Sequence, residues 1–139
     1  MTDIPTLPPV SEDEWMARFI LFSHWIRKRD RSVRPDAFIP HPFPNLSVIR
    51  HRDLSEAELW QIGQQIADKR PATLYGRADL QAISVIRKSL RIVPTAEPKN
   101  HANIIGWPAD KPSQKTIAQE IAAEARFVPK SDFSSQQKN

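Results

Sequence analysis

Residues 46–60 constrain the fold of this chain most, because they predict a strand that runs directly into a helix. Leu46–Arg50 is a short apolar run of the kind that forms a buried strand. Ser55 and Glu58 follow as an S-x-x-E capping box, which marks the first turn of a helix. A strand joined so closely to a helix indicates a fold in which helices pack on a sheet.

A second capping box, Ser11 with Glu14, predicts an earlier helix that begins at residue 11. This helix is expected to end near Arg29, where basic residues complement the negative end of the helix dipole. Its buried stripe is predicted from four apolar residues at helical spacing: Trp15, Phe19, Phe22 and Ile26.

The rest of the chain alternates short apolar runs with helical patterns. Strands are expected near residues 73–75, 90–93 and 102–107. Further helix caps are expected at Asp79, and at Asp110 or Ser113. The predicted class is α+β, with about four helices on a small three- to four-stranded sheet. Strand direction is not readable from these patterns, so α/β is the alternative.

Length and composition fit one globular domain. The chain has 139 residues, of which 40% are hydrophobic and 26% are charged, enough to bury a core without cross-links. Residues 1–10 are interrupted by prolines and are expected to be a flexible segment. The α+β domain is expected to span 11–129, and the Ser-, Gln- and Lys-rich tail at 130–139 is expected to be disordered.

Several classes of function are excluded because the sequence lacks the residue types or spacings that they need. The chain has no cysteine, which excludes disulfides, thiolate catalysis and cysteine-ligated metal sites. Its three glycines are widely spaced and form neither a P-loop nor a dinucleotide-binding fingerprint. The four histidines are scattered, so we expect no metal site and no cofactor. The sequence starts without a signal-peptide pattern and has no apolar run near the roughly 18 residues of a membrane span, so we expect a cytoplasmic protein without membrane contact.

Positive charge is concentrated in residues 27–52. The whole chain has a net charge of +4, whereas this segment alone has a net charge of +5. Lysine and arginine displace counterions from phosphates, so the segment is a candidate contact for nucleic acid. Its basic residues are the main predicted ligand-binding residues: Arg27, Lys28, Arg29, Arg31, Arg34, Arg50 and Arg52.

Two of these arginines alternate along the predicted strand. Arg50 and Arg52 would share one face, where they would bind a phosphate or a carboxylate, and the structural alternative is a charged strand edge. Three residues outside the segment complete the predicted site. They are Arg77, which follows Gly76, His101 as a general base or anion donor, and Lys111 at the start of the last helix.

The favoured function is a small basic module that binds a phosphate-bearing ligand, with nucleic acid as the preferred partner, through residues 27–52. One alternative is an interaction or accessory subunit that docks on a protein partner or a second copy through the aromatic-rich first helix. The other is an enzyme on a phosphorylated or nucleotide-like substrate, in which His101 or His51 transfers protons and arginines hold the anion.

Overall fold

A computed structural model describes residues 7–41 and 44–130, and within these ranges the chain forms six strands and three α-helices. Two short 3₁₀ turns lie at Ser23–Trp25 and Pro35–Phe38. The strands and helices are, in chain order, β1 Trp15–Ile20, β2 Leu46–Arg50, α1 Glu56–Lys69, β3 Gly76–Gln81, α2 Ala82–Ile86, β4 Arg91–Pro94, β5 His101–Ile105, α3 Lys111–Glu124 and β6 Arg126–Pro129.

The strands form one open sheet in the order β4-β5-β2-β1-β3-β6, and every neighbouring pair is antiparallel. The fold is therefore a mixed α+β fold. The expectation of about four helices on a three- to four-stranded sheet is wrong, since the described residues hold three helices and six strands. The α/β alternative is also wrong, because it requires parallel strands.

The predicted first helix is instead the central strand β1. The Ser11 and Glu14 pair forms a turn: the Glu14 N–H donates to the Ser11 carbonyl at 3.1 Å, and the Ser11 N–H donates to the Glu14 carboxylate at 3.3 Å. Only the second of these is a capping-box contact, because the Ser11 hydroxyl donates to Asp13 Oδ1 at 2.9 Å instead of accepting from the Glu14 N–H. The chain then extends, because residues 15–20 pair with β3 along their whole length and with the end of β2.

Burial on both faces explains why β1 is apolar on both sides, with Arg18 as its one charged residue. Met16 and Ile20 are buried on one face of the sheet, in the core that also contains residues of α3. Ala17 and Phe19 are buried on the other face, in the core that contains residues of α1. A strand covered on both sides lacks the polar–apolar alternation of a half-exposed strand, so its apolar spacing can imitate a helix.

The predicted helix after Asp79 is also mostly wrong. Asp79 lies inside β3, which is buried almost throughout, and only the five-residue α2 follows it. The other predictions are closer to the structure. β2 has the predicted bounds, α1 has the predicted Ser55 capping box, α3 is capped by Asp110, and β4 and β5 lie near the predicted strands. The strand predicted near residues 73–75 is wrong in position, since β3 begins at Gly76, and β6 was not predicted.

Helices α1 and α3 cover opposite faces of the sheet. The α1 side is closed by Leu59, Trp60 and Ala67, and the α3 side by Ala118 and Ile121, all buried. Gly63 allows α1 to approach the sheet closely, because a Cβ atom there would overlap the ring of Phe19. Among the described residues, none from β4 or β5 belongs to the α1-side core.

Both chain ends fall partly outside the described residues. The predicted tail at 130–139 is described only at Lys130, and the predicted flexible segment at 1–10 only from Leu7 onward. Pro8 and Pro9 are held to the domain, since their carbonyl oxygens accept hydrogen bonds from Arg50 at 2.8 and 3.3 Å. None of the helices in the described ranges is long and apolar enough to cross a membrane.

Candidate anion-binding groove

A gap between β1 and β2 forms the floor of the candidate site. These strands pair at Met16–Arg50 and Ala17–Ile49, and beyond these pairs the Arg18 side chain bridges them. Its Nη1 donates to the Ser47 carbonyl at 3.1 Å, and its Nε donates to the Ala37 carbonyl at 2.9 Å. Arg18 therefore replaces ladder hydrogen bonds and brings a cation into the middle of the sheet.

Two adjoining cavities lead from this gap along α1. The inner cavity has a volume of about 50 Å³ and the outer one about 220 Å³, and they share Ser47, Ile66, Arg70 and His101 as lining residues. We call their combined space the α1 groove. It lies between the last turns of α1 and strands β2 and β5.

The α1 groove is cationic. Arg18 lines its inner part and Lys69 its outer part, while Arg70 lines both. No aspartate or glutamate is among the described residues that line either cavity. Lys69 and Arg70 are exposed. Three positive side chains converge here without a lining carboxylate, which is an arrangement suited to a phosphate or carboxylate ligand.

Comparisons with protein-family models, with curated proteins and with solved structures find no match for this chain. The chemistry of the groove is therefore the basis for its functional interpretation.

Arg18 keeps its charge despite its surroundings. Burial and the charge of nearby Arg70 lower the pKa of Arg18 to about 10, so it stays protonated at neutral pH. The side chain also lies over the Trp25 ring, with its guanidinium carbon 5.3 Å from the ring centroid. An anion bound beside Arg18 and Arg70 would relieve their mutual repulsion, which favours ligand binding.

His101 is the one predicted site residue in the α1 groove. Its Nδ1 lies 2.6 Å from the Thr95 hydroxyl, which fixes the ring orientation. Burial lowers the pKa of His101, so the ring is uncharged at neutral pH and serves as a hydrogen-bonding group rather than a cation. His101 also lines a neighbouring cavity of about 230 Å³, together with Arg52, Lys99 and Glu97.

The predicted cluster after β1 lies on the protein surface. Four of its basic residues, Arg27, Lys28, Arg29 and Arg34, line a shallow hollow of about 830 Å³, with Asp36 as the lining carboxylate. Arg31 lies exposed in the same loop. The loop follows Trp25, which also lines the α1 groove. We call residues 27–34 the basic loop.

The structure places Arg50 in a buried ion pair. Its Nε donates to Glu14 Oε1 at 2.5 Å and its Nη2 to Glu14 Oε2 at 3.0 Å, while Pro8 and Pro9 accept further hydrogen bonds. The guanidinium is thus committed to internal partners. Arg52 is exposed and lies 3.6 Å from the Asp53 carboxylate.

Arg77 belongs to a second internal network. It donates to Asp79 at 2.9 Å and to Glu56 at 2.8 Å, and it lies 4.8 Å from the centroid of the Trp60 ring. His51 Nε2 completes the network at 3.0 Å from Asp79 Oδ1. The network lies under the first turns of α1, away from the groove at the last turns.

The remaining predicted residue, Lys111, begins α3 on the opposite side of the sheet and is exposed. The enzyme hypothesis required His101, Arg50 and Arg77 to share a cleft. His101 and Arg50 line one cavity, whereas Arg77 lies beside Trp60. That convergence is therefore incomplete.

Sequence reasoning missed Arg18, Ser47, Lys69 and Arg70. Arg18 carried a usable signal, because a single arginine inside the apolar run Trp15–Ile20 needs a polar role once the run is assigned as a strand. Lys69 and Arg70 gave no signal of a binding role in the sequence, since basic residues at the end of a helix are commonly explained by the helix dipole.

Proposed function

We propose that the protein binds nucleic acid through the α1 groove and the basic loop. The observation that carries this proposal is the convergence of Arg18, Lys69 and Arg70 on a groove whose described lining contains no carboxylate. Within residues 7–41 and 44–130, none of these three cations forms an ion pair with a carboxylate, so an anionic ligand would supply the missing counter-charge. Phosphate fits this site because it accepts several charge-assisted hydrogen bonds at once.

A second cationic surface, close in sequence to a residue that lines the groove, favours a polymer over a small anion. The basic loop supplies four cations around its hollow, and Trp25, two residues before that loop in the chain, lines the groove. His101, which lines the groove, also lines a neighbouring cavity together with Arg52 and Lys99. A backbone with regularly spaced phosphates can contact several separate cations at once, which a small anion cannot do.

Neutralising the groove tests the proposal. We expect the double variant Lys69→Gln/Arg70→Gln to bind a short fluorescent oligonucleotide more weakly, because two phosphate contacts are lost. The slope of log affinity against log salt should fall in magnitude by about two. Fluorescence anisotropy over a salt series from about 50 to 200 mM measures both quantities. Both residues are exposed, so the fold should be retained.

The matched control is Arg87→Gln/Arg126→Gln, which removes the same charge from exposed positions after α2 and on β6. This control variant should keep the wild-type slope of log affinity against log salt concentration. Equal losses in both double variants would show a nonspecific charge effect and contradict a groove site. Absence of oligonucleotide binding by the wild-type protein at low salt would contradict the proposed function itself.

A further inference from the structure

We infer that the nucleic acid is single-stranded and that an unpaired base stacks on Phe22; this inference rests on the proposed function. Phe22 follows β1 and is 43% exposed, an unusual position for a phenylalanine beside charged residues. Its ring lies 5.7 Å from the His24 ring and 4.8 Å from the Trp25 ring, between centroids. We call these three rings the aromatic platform.

The platform leaves aromatic surface available to a ligand. The interplanar angles are 44° between Phe22 and His24 and 65° between Phe22 and Trp25, so neither contact is a parallel stack, and Phe22 stays 43% exposed. His24 is exposed as well. A flat base can therefore approach these rings, and stacking on aromatic side chains is how many proteins hold unpaired bases.

The platform is also fixed in place. Trp25 packs against the α3-side core and lies under the Arg18 guanidinium. Leu21, directly before Phe22, is buried in the α1-side core. An anchored platform loses less conformational entropy on binding than a loose loop would, which favours recognition at this point.

The positive charge beside the aromatic platform favours single-stranded nucleic acid as its partner. His24 lines the hollow that holds Arg27, Lys28, Arg29 and Arg34, and the Phe22 ring lies next to the His24 ring, so the platform adjoins four cations. A single strand offers a base for the rings and phosphates for the cations. A duplex offers phosphates but no free base face, because its bases are paired and stacked inside the helix.

The test compares a single strand with the duplex of the same sequence on the full chain. We expect tighter binding of the single strand, and we expect Phe22→Ala to weaken it roughly five- to a hundredfold, the loss typical of one stacking contact. Duplex affinity should change little. Phe22→Tyr keeps the ring and should restore single-strand affinity. Trp15→Ala removes another exposed ring, at the start of β1, and should leave binding unchanged.

The outcomes separate this inference from the proposed function. Equal binding of single strand and duplex, with Phe22→Ala unchanged, would overturn the inference and leave the proposed function standing. Competition by polyglutamate as strong as by the oligonucleotide would overturn recognition of bases. Absence of binding to either nucleic acid at low salt would overturn the proposed function. Circular dichroism of each variant shows whether a loss reflects unfolding.

Discussion

Replacement of Arg77 by methionine should lower the free energy of unfolding by about 3–5 kcal/mol, the cost of breaking a buried ion pair. The Arg77 side chain is 4% exposed and that of its partner Asp79 is 9% exposed. Methionine fills much of the same volume but leaves the Asp79 carboxylate buried with His51 as its remaining partner. Urea unfolding followed by circular dichroism measures the loss.

Glu56→Gln is the matched control for Arg77→Met, because it removes the exposed partner of the same guanidinium. The Glu56 side chain is 67% exposed, so solvent screens this ion pair and the change should cost less than about 1 kcal/mol. Equal losses in the two variants would show that the buried Arg77–Asp79 contact is not the important one.

The same network predicts how stability depends on pH. Burial alone would raise the pKa of Asp79, but hydrogen bonds and charges from His51 and Arg77 outweigh burial and hold that pKa below its usual value. The unfolded state then binds the proton more readily than the folded state. The stabilisation is present above the ordinary carboxyl pKa of about 4 and is lost as pH falls through the folded value. Asp79→Asn should flatten this acid dependence.

Replacement of Arg50 by methionine should cost a similar amount, about 3–5 kcal/mol. It leaves the Glu14 carboxylate, whose side chain is 10% exposed, without its bidentate partner. It also removes the hydrogen bonds that hold the carbonyls of Pro8 and Pro9. We therefore expect the N-terminal segment to be released, which protease cleavage near residue 10 would report along with urea unfolding.

The neighbouring residue supplies the control for Arg50→Met. Arg52 is 47% exposed, and its contact with Asp53 is a surface ion pair. Arg52→Met should therefore change stability by no more than about 0.5 kcal/mol. If Arg50→Met were as mild as Arg52→Met, the structural assignment of Arg50 would be wrong.

Two identical local signals show what the sequence can and cannot predict about this fold. Ser55 with Glu58 and Ser11 with Glu14 both have capping-box spacing, yet the first precedes α1 and the second a turn before β1. Local hydrogen bonds are satisfied in both cases. The segment after Ser11 and Glu14 is a strand because it pairs with β2 and β3, which are distant in sequence. Such pairing overrides local helix preference.

The candidate site was harder to predict than the fold. The composition shows a basic protein. Whether an individual arginine is free to bind a ligand depends on the side chains that lie next to it in the fold. Glu14 lies 36 positions from Arg50, and Glu56 lies 21 positions from Arg77. Arg18 and Arg70 meet only because the β1–β2 ladder ends early and α1 lies across the gap. A count of charges along the sequence shows neither the partners of Arg50 and Arg77 nor the proximity of Arg18 and Arg70.

The most direct test of a nucleic-acid site in the α1 groove is amide chemical-shift mapping of the full chain during titration with a short single-stranded oligonucleotide. We expect the signals of Ser47, Ile66, Arg70 and His101 to move together in proportion to occupancy, because these residues line both cavities of the groove. The signals of Lys115 on α3 and Arg126 on β6 should stay in place. Shifts confined to α3 or β6, with Ser47 and His101 unchanged at saturation, would contradict the proposed site.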